Sequence, residues 1–239
     1  MPAPLASVCI PYRRRFPGDQ RILSWVVAHW RTSHPDWEVV VSDMDWPTTL
    51  AEPTAPPFSR SAARNACARQ ASSPVLIFAN SDTVPVAQDP DPLTAAVIEA
   101  LADPDSWDLS ARYIEADPEW TNHLLHREPG PVVSLPPPEH VERQFAAEPG
   151  QLGKPYAGLI VAARALHDRV GGWDESYGAG WGWEDTAYCD ALANAAGRGP
   201  ARSGAVVHLW HERRPEDRPN HPAARRNRQR WRQSRGRHR

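Results

Sequence analysis

The sequence predicts a single α/β domain, a mostly parallel sheet with flanking helices, followed by a basic C-terminal tail. Three observations lead there. Apolar runs of strand length alternate with stretches of helical spacing through the first 80 residues. Each of the first three runs stops at polar residues, and in open parallel sheets ligands bind at the carboxyl ends of the strands. The 239 residues, 41% of them hydrophobic, suit one large domain with a full core.

Leu5 to Pro11 reads as a buried strand ending at a proline, and Gln20 to Arg31 as a helix with Ile22, Leu23, Trp25, Val26, Val27 and Trp30 at helical spacing. Trp37 to Val41 is the second strand, with Ser42-Asp43-Met44-Asp45 at its end; Ser59 to Ala71 is a helix, and Pro74 to Phe78 a third strand ending at Asn80-Ser81-Asp82. Leu93 to Leu101 is a helix and Leu109 to Tyr113 a further strand. From Glu115 to Gly153 the chain is proline-rich and weakly periodic, which predicts a long loop region beside a pocket. Tyr156 to Ala162 is again a strand and Arg164 to Val170 a short helix; Gly178 to Trp183 is a Gly/Trp loop, Glu184 to Ala196 a helix with acids in its first turn, and Ala205 to Leu209 the last strand.

The net charge of -2 hides an asymmetry. Residues 213–239 hold eleven arginines against two acids, a net of +9, whereas the body carries 16 basic and 27 acidic residues, a net of -11. The expected division is a domain over 1–214 and a mobile arginine-rich tail over 215–239. Such tails are ordinarily solvated, which argues against nucleic acid as the partner and leaves peripheral contact with an anionic membrane as an option. Cys9, Cys67 and Cys189 lack metal-type spacing and are odd in number, so no disulfide framework is expected. No signal-like start and no apolar stretch of about 18 residues occur, and the expected location is cytoplasmic.

Three segments carry chemistry. Side chains 80 and 82 point the same way on extended chain, so Asn80 and Asp82 can face one cation, although Asn-Ser-Asp is also ordinary turn chemistry. His208 and His211 offer imidazoles suited to Mn²⁺ or another borderline ion, and stand equally well as packing residues. In Trp181-Gly182-Trp183-Glu184-Asp185, indoles that can stack on a sugar ring adjoin carboxylates that can take a hydroxyl proton. An acidic helix start alone explains the acids, but not the tryptophans.

Taken in order, these segments resemble GT-A glycosyltransferases, above all β-1,4-galactosyltransferases and the galactosyltransferase segments of chondroitin-type polymerases. Ile10-Pro11-Tyr12-Arg13-Arg14-Arg15 is similar to their I-P-[FY]-R-x-R loop, and Phe58-Ser59-Arg60 to their F-x-R. Phe78 through Pro85 is similar to F-x-D-x-D-x-x-P; Gly171-Gly172-Trp173-Asp174-Glu175 with Trp181 to Asp185 resembles N-G-F…W-G-G-E-D; and His208 to His211 resembles M-x-x-H. The resemblance implies a metal-dependent, inverting transfer of a sugar, Gal or GalNAc, from a UDP-sugar to a glycan, lipid-linked or small-molecule hydroxyl. It implies that Pro11, Tyr12, Arg13, Arg15, Phe58 and Arg60 hold the uridine diphosphate and that Asp43 reads base or ribose. Arg64 would lie near phosphate, with Asn80 and Ser81 also on the nucleotide sugar. Asp82, His208 and His211 would bind Mn²⁺ (or Mg²⁺), Asp185 would act as general base, and Glu184, Trp181 and Trp183 would position the acceptor. Tyr156 and Gly158 fit a donor-side Y-x-G pattern loosely.

This sequence departs from the family at Asn80 (an acid is usual), His208 (methionine) and Trp183 (glycine). Asn80 motivates a second reading, a nucleotide-sugar-binding protein without turnover; the arginine block motivates a third, binding of nucleic acid or an anionic membrane.

Overall fold

The core is one mixed sheet with helices packed on it. The computed structural model describes residues 3–13, 18–43, 58–147, 158–178, 182–213 and 220–236. Its strands are β1 (Ser7–Tyr12), β2 (Glu38–Asp43), β3 (Val75–Ala79), β4 (Thr83–Pro85), β5 (Trp107–Ala116), β6 (Val141–Ala146), β7 (Leu159–Ala163) and β8 (Ala201–His208). They lie in the order β2-β1-β3-β7-β5-β8-β4, with β6 added alongside β5. Its helices are α1 (Asp19–Ser33), α2 (Arg60–Gln70), α3 (Pro92–Ala102), α4 (Pro118–Leu125), α5 (Arg164–Arg169), α6 (Glu184–Ala196) and α7 (Pro222–Gly236).

The first half follows the expected βαβαβ plan, with β1 parallel to both β2 and β3. Every residue of β1, β3 and β7 is buried, which is why these strands read as unbroken apolar runs rather than alternating ones. The second half turns the chain around: β7 runs antiparallel to β3 and β5, while β5 and β8 are parallel. β4, absent from the sequence reading, is a three-residue strand antiparallel to β8.

Two expectations are corrected. The span 115–153, expected as loop, contains α4 and β6. Asp117 caps α4 by accepting from the Trp120 amide, with Pro118 at the first helical position, a start signal that the surrounding prolines obscured. α1 holds the strand-free remainder: the Trp25 indole donates to the Arg127 carbonyl, and His29 Nδ1 lies 2.8 Å from the Gly130 carbonyl oxygen. The second correction concerns the arginine-rich segment, which is a 15-residue helix, α7, seated on the body through buried Ala223, Ala224 and Asn227. Alternation of small and long polar residues conceals that seam in a scan for apolar periodicity. Among the described residues no helix is long and apolar enough to cross a membrane.

Between the central strand β3 and α5 and α6 lies an aromatic layer of Phe78, Trp173, Tyr188 and His167, with Trp173 stacked on Tyr188 at 3.9 Å. His167 Nδ1 sits 2.8 Å from the Tyr188 hydroxyl, and burial pushes its pKa down to about 4. A folded pKa below the unfolded 6.5 means that protons favour the unfolded chain. The stabilisation is complete above pH 6.5 and is lost as pH falls toward 4. Between pH 7 and pH 5 this histidine alone should cost about 2 kcal/mol. Denaturant titrations of wild type and His167→Gln at both pH values check it. Asp108, which burial pushes up to about 6, shifts stability the other way but equally in both chains. An equal pH dependence in the two would refute the assignment.

Candidate functional site

The polar residues at the end of β3 form the centre of the site. Asn80 begins a tight turn, in which the Thr83 amide donates to the Asn80 carbonyl at 3.3 Å, and the turn delivers Asp82 to the start of β4. β4 then pairs with β8 so that Thr83 lies opposite His208, and the Leu209 amide donates to the Asp82 carbonyl at 2.7 Å. This short strand pair is the device that brings residue 82 to residues 208 and 211. The Asp82 carboxylate meets His208 Nε2 at 3.6 Å (Oδ1) and His211 Nε2 at 3.2 Å (Oδ2), and one ligand atom from each residue falls within 4.8 Å of the others. Burial lowers the His208 pKa against the pull of Asp82, which favours the neutral imidazole, the form that donates a lone pair to a metal. A carboxylate oxygen and two imidazole nitrogens at this spacing fit a divalent cation of borderline character.

Gly158 shows how closely this centre is packed. A Cβ there would stand 2.8 Å from the Tyr113 ring and 3.0 Å from the Thr83 methyl, while its carbonyl accepts from the Asn80 amide. Tyr113, on β5, was not singled out in the sequence. Its ring lies 5.8 Å from His208, and its hydroxyl pKa is driven well up by burial and then by the negative charge of Asp82 and Glu115. Beside the His pair opens a cleft of about 310 Å³ lined by Glu115, Arg143, Trp210 and Arg213 among others. Glu115 holds Arg213 at 3.3 Å, and Trp210 is 40% exposed. No sequence signal marked Glu115 and Arg143, because β5 and β6 supply them from the span read as loop.

The acidic pair begins α6. Asp185 Oδ1 accepts from Arg64 Nη1 at 2.5 Å, and no described residue engages Oδ2. Arg64 Nη2 donates to Asn80 Oδ1 at 3.0 Å, and its guanidinium lies 4.1 Å over the Trp173 ring. Arg64, expected near phosphate, is 1% exposed and ties the carboxylate of residue 185 to the turn carrying Asp82. Asn80 is correspondingly committed to Arg64. Arg60, expected on the nucleotide, has its Nε 2.9 Å from Glu184 Oε1. Burial raises the Glu184 pKa, opposed by Arg60. Asn65 fixes the neighbouring turn by accepting from the Trp173 amide and donating to its carbonyl, and a Cβ on Gly172 would strike the Asn65 oxygen at 2.8 Å.

Of the other expected residues, Pro11 and Tyr12 close β1 and are buried. Arg13 reaches over the Phe58 ring at 5.8 Å, joining the two segments expected around a nucleotide. Ser81 is half-buried in the turn. Asp43 ends β2, but its side chain, with Arg15, Tyr156 and Trp181, lies outside the described residues. Trp183 is described and is not an open platform: its ring meets Trp231 at 4.7 Å and Arg228 at 5.5 Å, both from α7.

No protein-family model and no curated protein sequence matches this chain. Among solved structures it is similar to a mannosyltransferase from Pyrobaculum calidifontis in complex with GDP-Man and Mn²⁺, at 17% identity and a TM-score of 0.51. That match covers 88% of this chain and 58% of the mannosyltransferase, so the chain spans less than two thirds of that protein's length. It is also similar to a Drosophila β-1,4-galactosyltransferase 7 variant in complex with manganese, UDP-Gal and xylobiose, at 14% identity and a TM-score of 0.49, covering 93% and 79%. A third similarity is to S. aureus TarS, at 15% identity and 0.49, covering 86% and 36%. What the similarity to the mannosyltransferase shows is the architecture: this chain has the GT-A glycosyltransferase fold.

Proposed function

We propose that the protein is a metal-dependent, inverting glycosyltransferase that moves a sugar, Gal or GalNAc, from a UDP-sugar to an acceptor hydroxyl. The observation that carries this reading is the convergence of Asp82, His208 and His211, with Asp185 linked through Arg64 to the same turn. The mannosyltransferase of like fold was solved with GDP-Man and Mn²⁺, which supports a nucleotide sugar and a divalent ion; the preference for uridine rests on the resemblance of the Pro11–Arg15 and Phe58–Arg60 segments.

Asp82, His208 and His211 would hold the ion, Mn²⁺ in preference to Mg²⁺ because two of the three donors are nitrogen. When bound, it would offset the negative charge that develops on the departing diphosphate. Arg13 and Phe58, with Arg15 and Asp43, would receive the nucleotide. Asp185 Oδ2 would take the acceptor proton as the new glycosidic bond forms, while Glu184, buried against Arg60, would orient rather than react.

Calorimetric titration with UDP and with GDP, each with and without Mn²⁺, tests the reading, followed by turnover of UDP-Gal and UDP-GalNAc. Mn²⁺-dependent UDP binding with release of UDP is expected; absence of metal-dependent nucleotide affinity would sink it. A second reading, nucleotide-sugar binding without turnover, is favoured by the close Arg64–Asp185 pair and by Asn80 in place of an acid. It predicts the same binding with no donor hydrolysis and no transfer across a broad acceptor panel.

A further inference from the structure

We infer that α7 is part of the site, and that Trp231 and Asn227 are positioning residues for the Glu184–Asp185 pair. The inference rests on the proposed function for the role of those carboxylates, but its structural content stands on the turn before them. Gly182 and Trp183 both have left-handed backbone, with φ of +87° and +76°. Glycine takes that conformation freely, whereas a bulky residue there is an outlier that persists only when its surroundings hold it. α6 adds no side-chain cap here, since Trp183 caps nothing, and its own hold on the turn is the backbone bond from the Ala187 amide to the Trp183 carbonyl.

The side-chain restraint comes from α7. Asn227, buried in an otherwise arginine-rich helix, donates its Nδ2 proton to the Gly182 carbonyl at 3.2 Å. Trp231, one turn further on, packs its ring on Trp183 at 4.7 Å and donates from Nε1 to Asp190 Oδ2 at 2.7 Å. One indole therefore bridges the strained turn and the body of α6, acting as a splint across the helix start. Glu184 and Asp185 leave this turn directly, and their pairing with Arg60 and Arg64 requires the helix to begin at this angle. An Asn and a Trp on the buried face, among outward arginines, explain why an acid-free helix is seated here at all.

The test compares Trp231→Ala, Trp231→Phe and Asn227→Ala with wild type in the full chain. The exposed Arg226→Gln serves as a control for charge. For Trp231→Ala, kcat should fall about 10²-fold, as displacement of a reacting group by about 1 Å can do, while donor KM and Mn²⁺-dependent UDP affinity stay within about twofold. Trp231→Phe, which keeps the ring contact, should recover most of the loss; Asn227→Ala should lie between, and Arg226→Gln should match wild type. Independently of activity, the Ala187 amide, which donates to the Trp183 carbonyl at 2.9 Å, should exchange its hydrogen about tenfold faster in Trp231→Ala. Unchanged exchange at Ala187 overturns the inference. So does loss of UDP affinity in step with kcat, or a Trp231→Phe protein as impaired as Trp231→Ala. If wild type shows no metal-dependent UDP binding, the proposed function falls, and the exchange measurement still decides the splint.

Discussion

Asp185→Asn should lower turnover about 10²–10⁴-fold, the usual contribution of a general base, and leave UDP affinity nearly unchanged. The substitution suits the site because the amide oxygen can still accept from Arg64, whose side chain is 1% exposed and which would otherwise stand as a buried charge with Asn80 as its remaining polar partner. Removing the partner of a buried ion outright costs about 3–5 kcal/mol, so alanine here would confound folding with chemistry. Steady-state turnover of the donor, set beside calorimetric UDP affinity, makes the measurement. A variant that turns over at the wild-type rate removes Asp185 as the base. The expected split, chemistry lost and binding kept, is what a transition-state contribution looks like in mutant kinetics.

The second large effect is on metal-dependent binding. Asp82→Ala, and separately His211→Ala, should weaken UDP binding in the presence of Mn²⁺ by at least about 10²-fold, since even residues behind the ligands are worth about 10–100-fold in metal affinity. Binding without Mn²⁺ should not change. Loss of the Asp82 side chain leaves the turn intact, because Leu209 is bonded to its backbone carbonyl and β4 stays paired to β8. Circular dichroism of the variant should therefore match wild type. If either variant keeps the full Mn²⁺ dependence, these three side chains are not the metal site. Lowering the pH should weaken Mn²⁺ binding in wild type as protons compete for the imidazoles; burial lowers the His208 pKa and so moves its share of that loss to lower pH.

Much of the fold was legible because strand and helix periodicity is local. β1, α1, β2, α2, β3, α3, β7 and α6 stand within a few residues of the expected spans, each marked by apolar or small side chains at strand or helix spacing. α4 and β6 were missed because prolines dominate their surroundings and β6 buries little. α7 was missed because two alanines, an asparagine and a tryptophan bury too little apolar surface to stand out among arginines. Asp82, His208 and His211 were legible as metal-type donors, and Glu184-Asp185 as a carboxylate pair. The roles of Arg60 and Arg64 were not, since an arginine's partner depends on what the fold sets opposite it.

The sequence by itself determined the alternation of strands and helices through β3, the polar ends of the first three strands, and the residue types able to bind metal or move a proton. Those properties follow from side-chain chemistry and short-range spacing. Only the tertiary structure decided that β4 pairs with β8 and so joins Asp82 to the histidine pair, that Arg64 is buried against Asp185, and that α7 holds the turn before the carboxylates. Each of these depends on which surfaces meet across more than 40 residues of chain, and burial and pairing at that range are set by the whole sheet and its flanking helices.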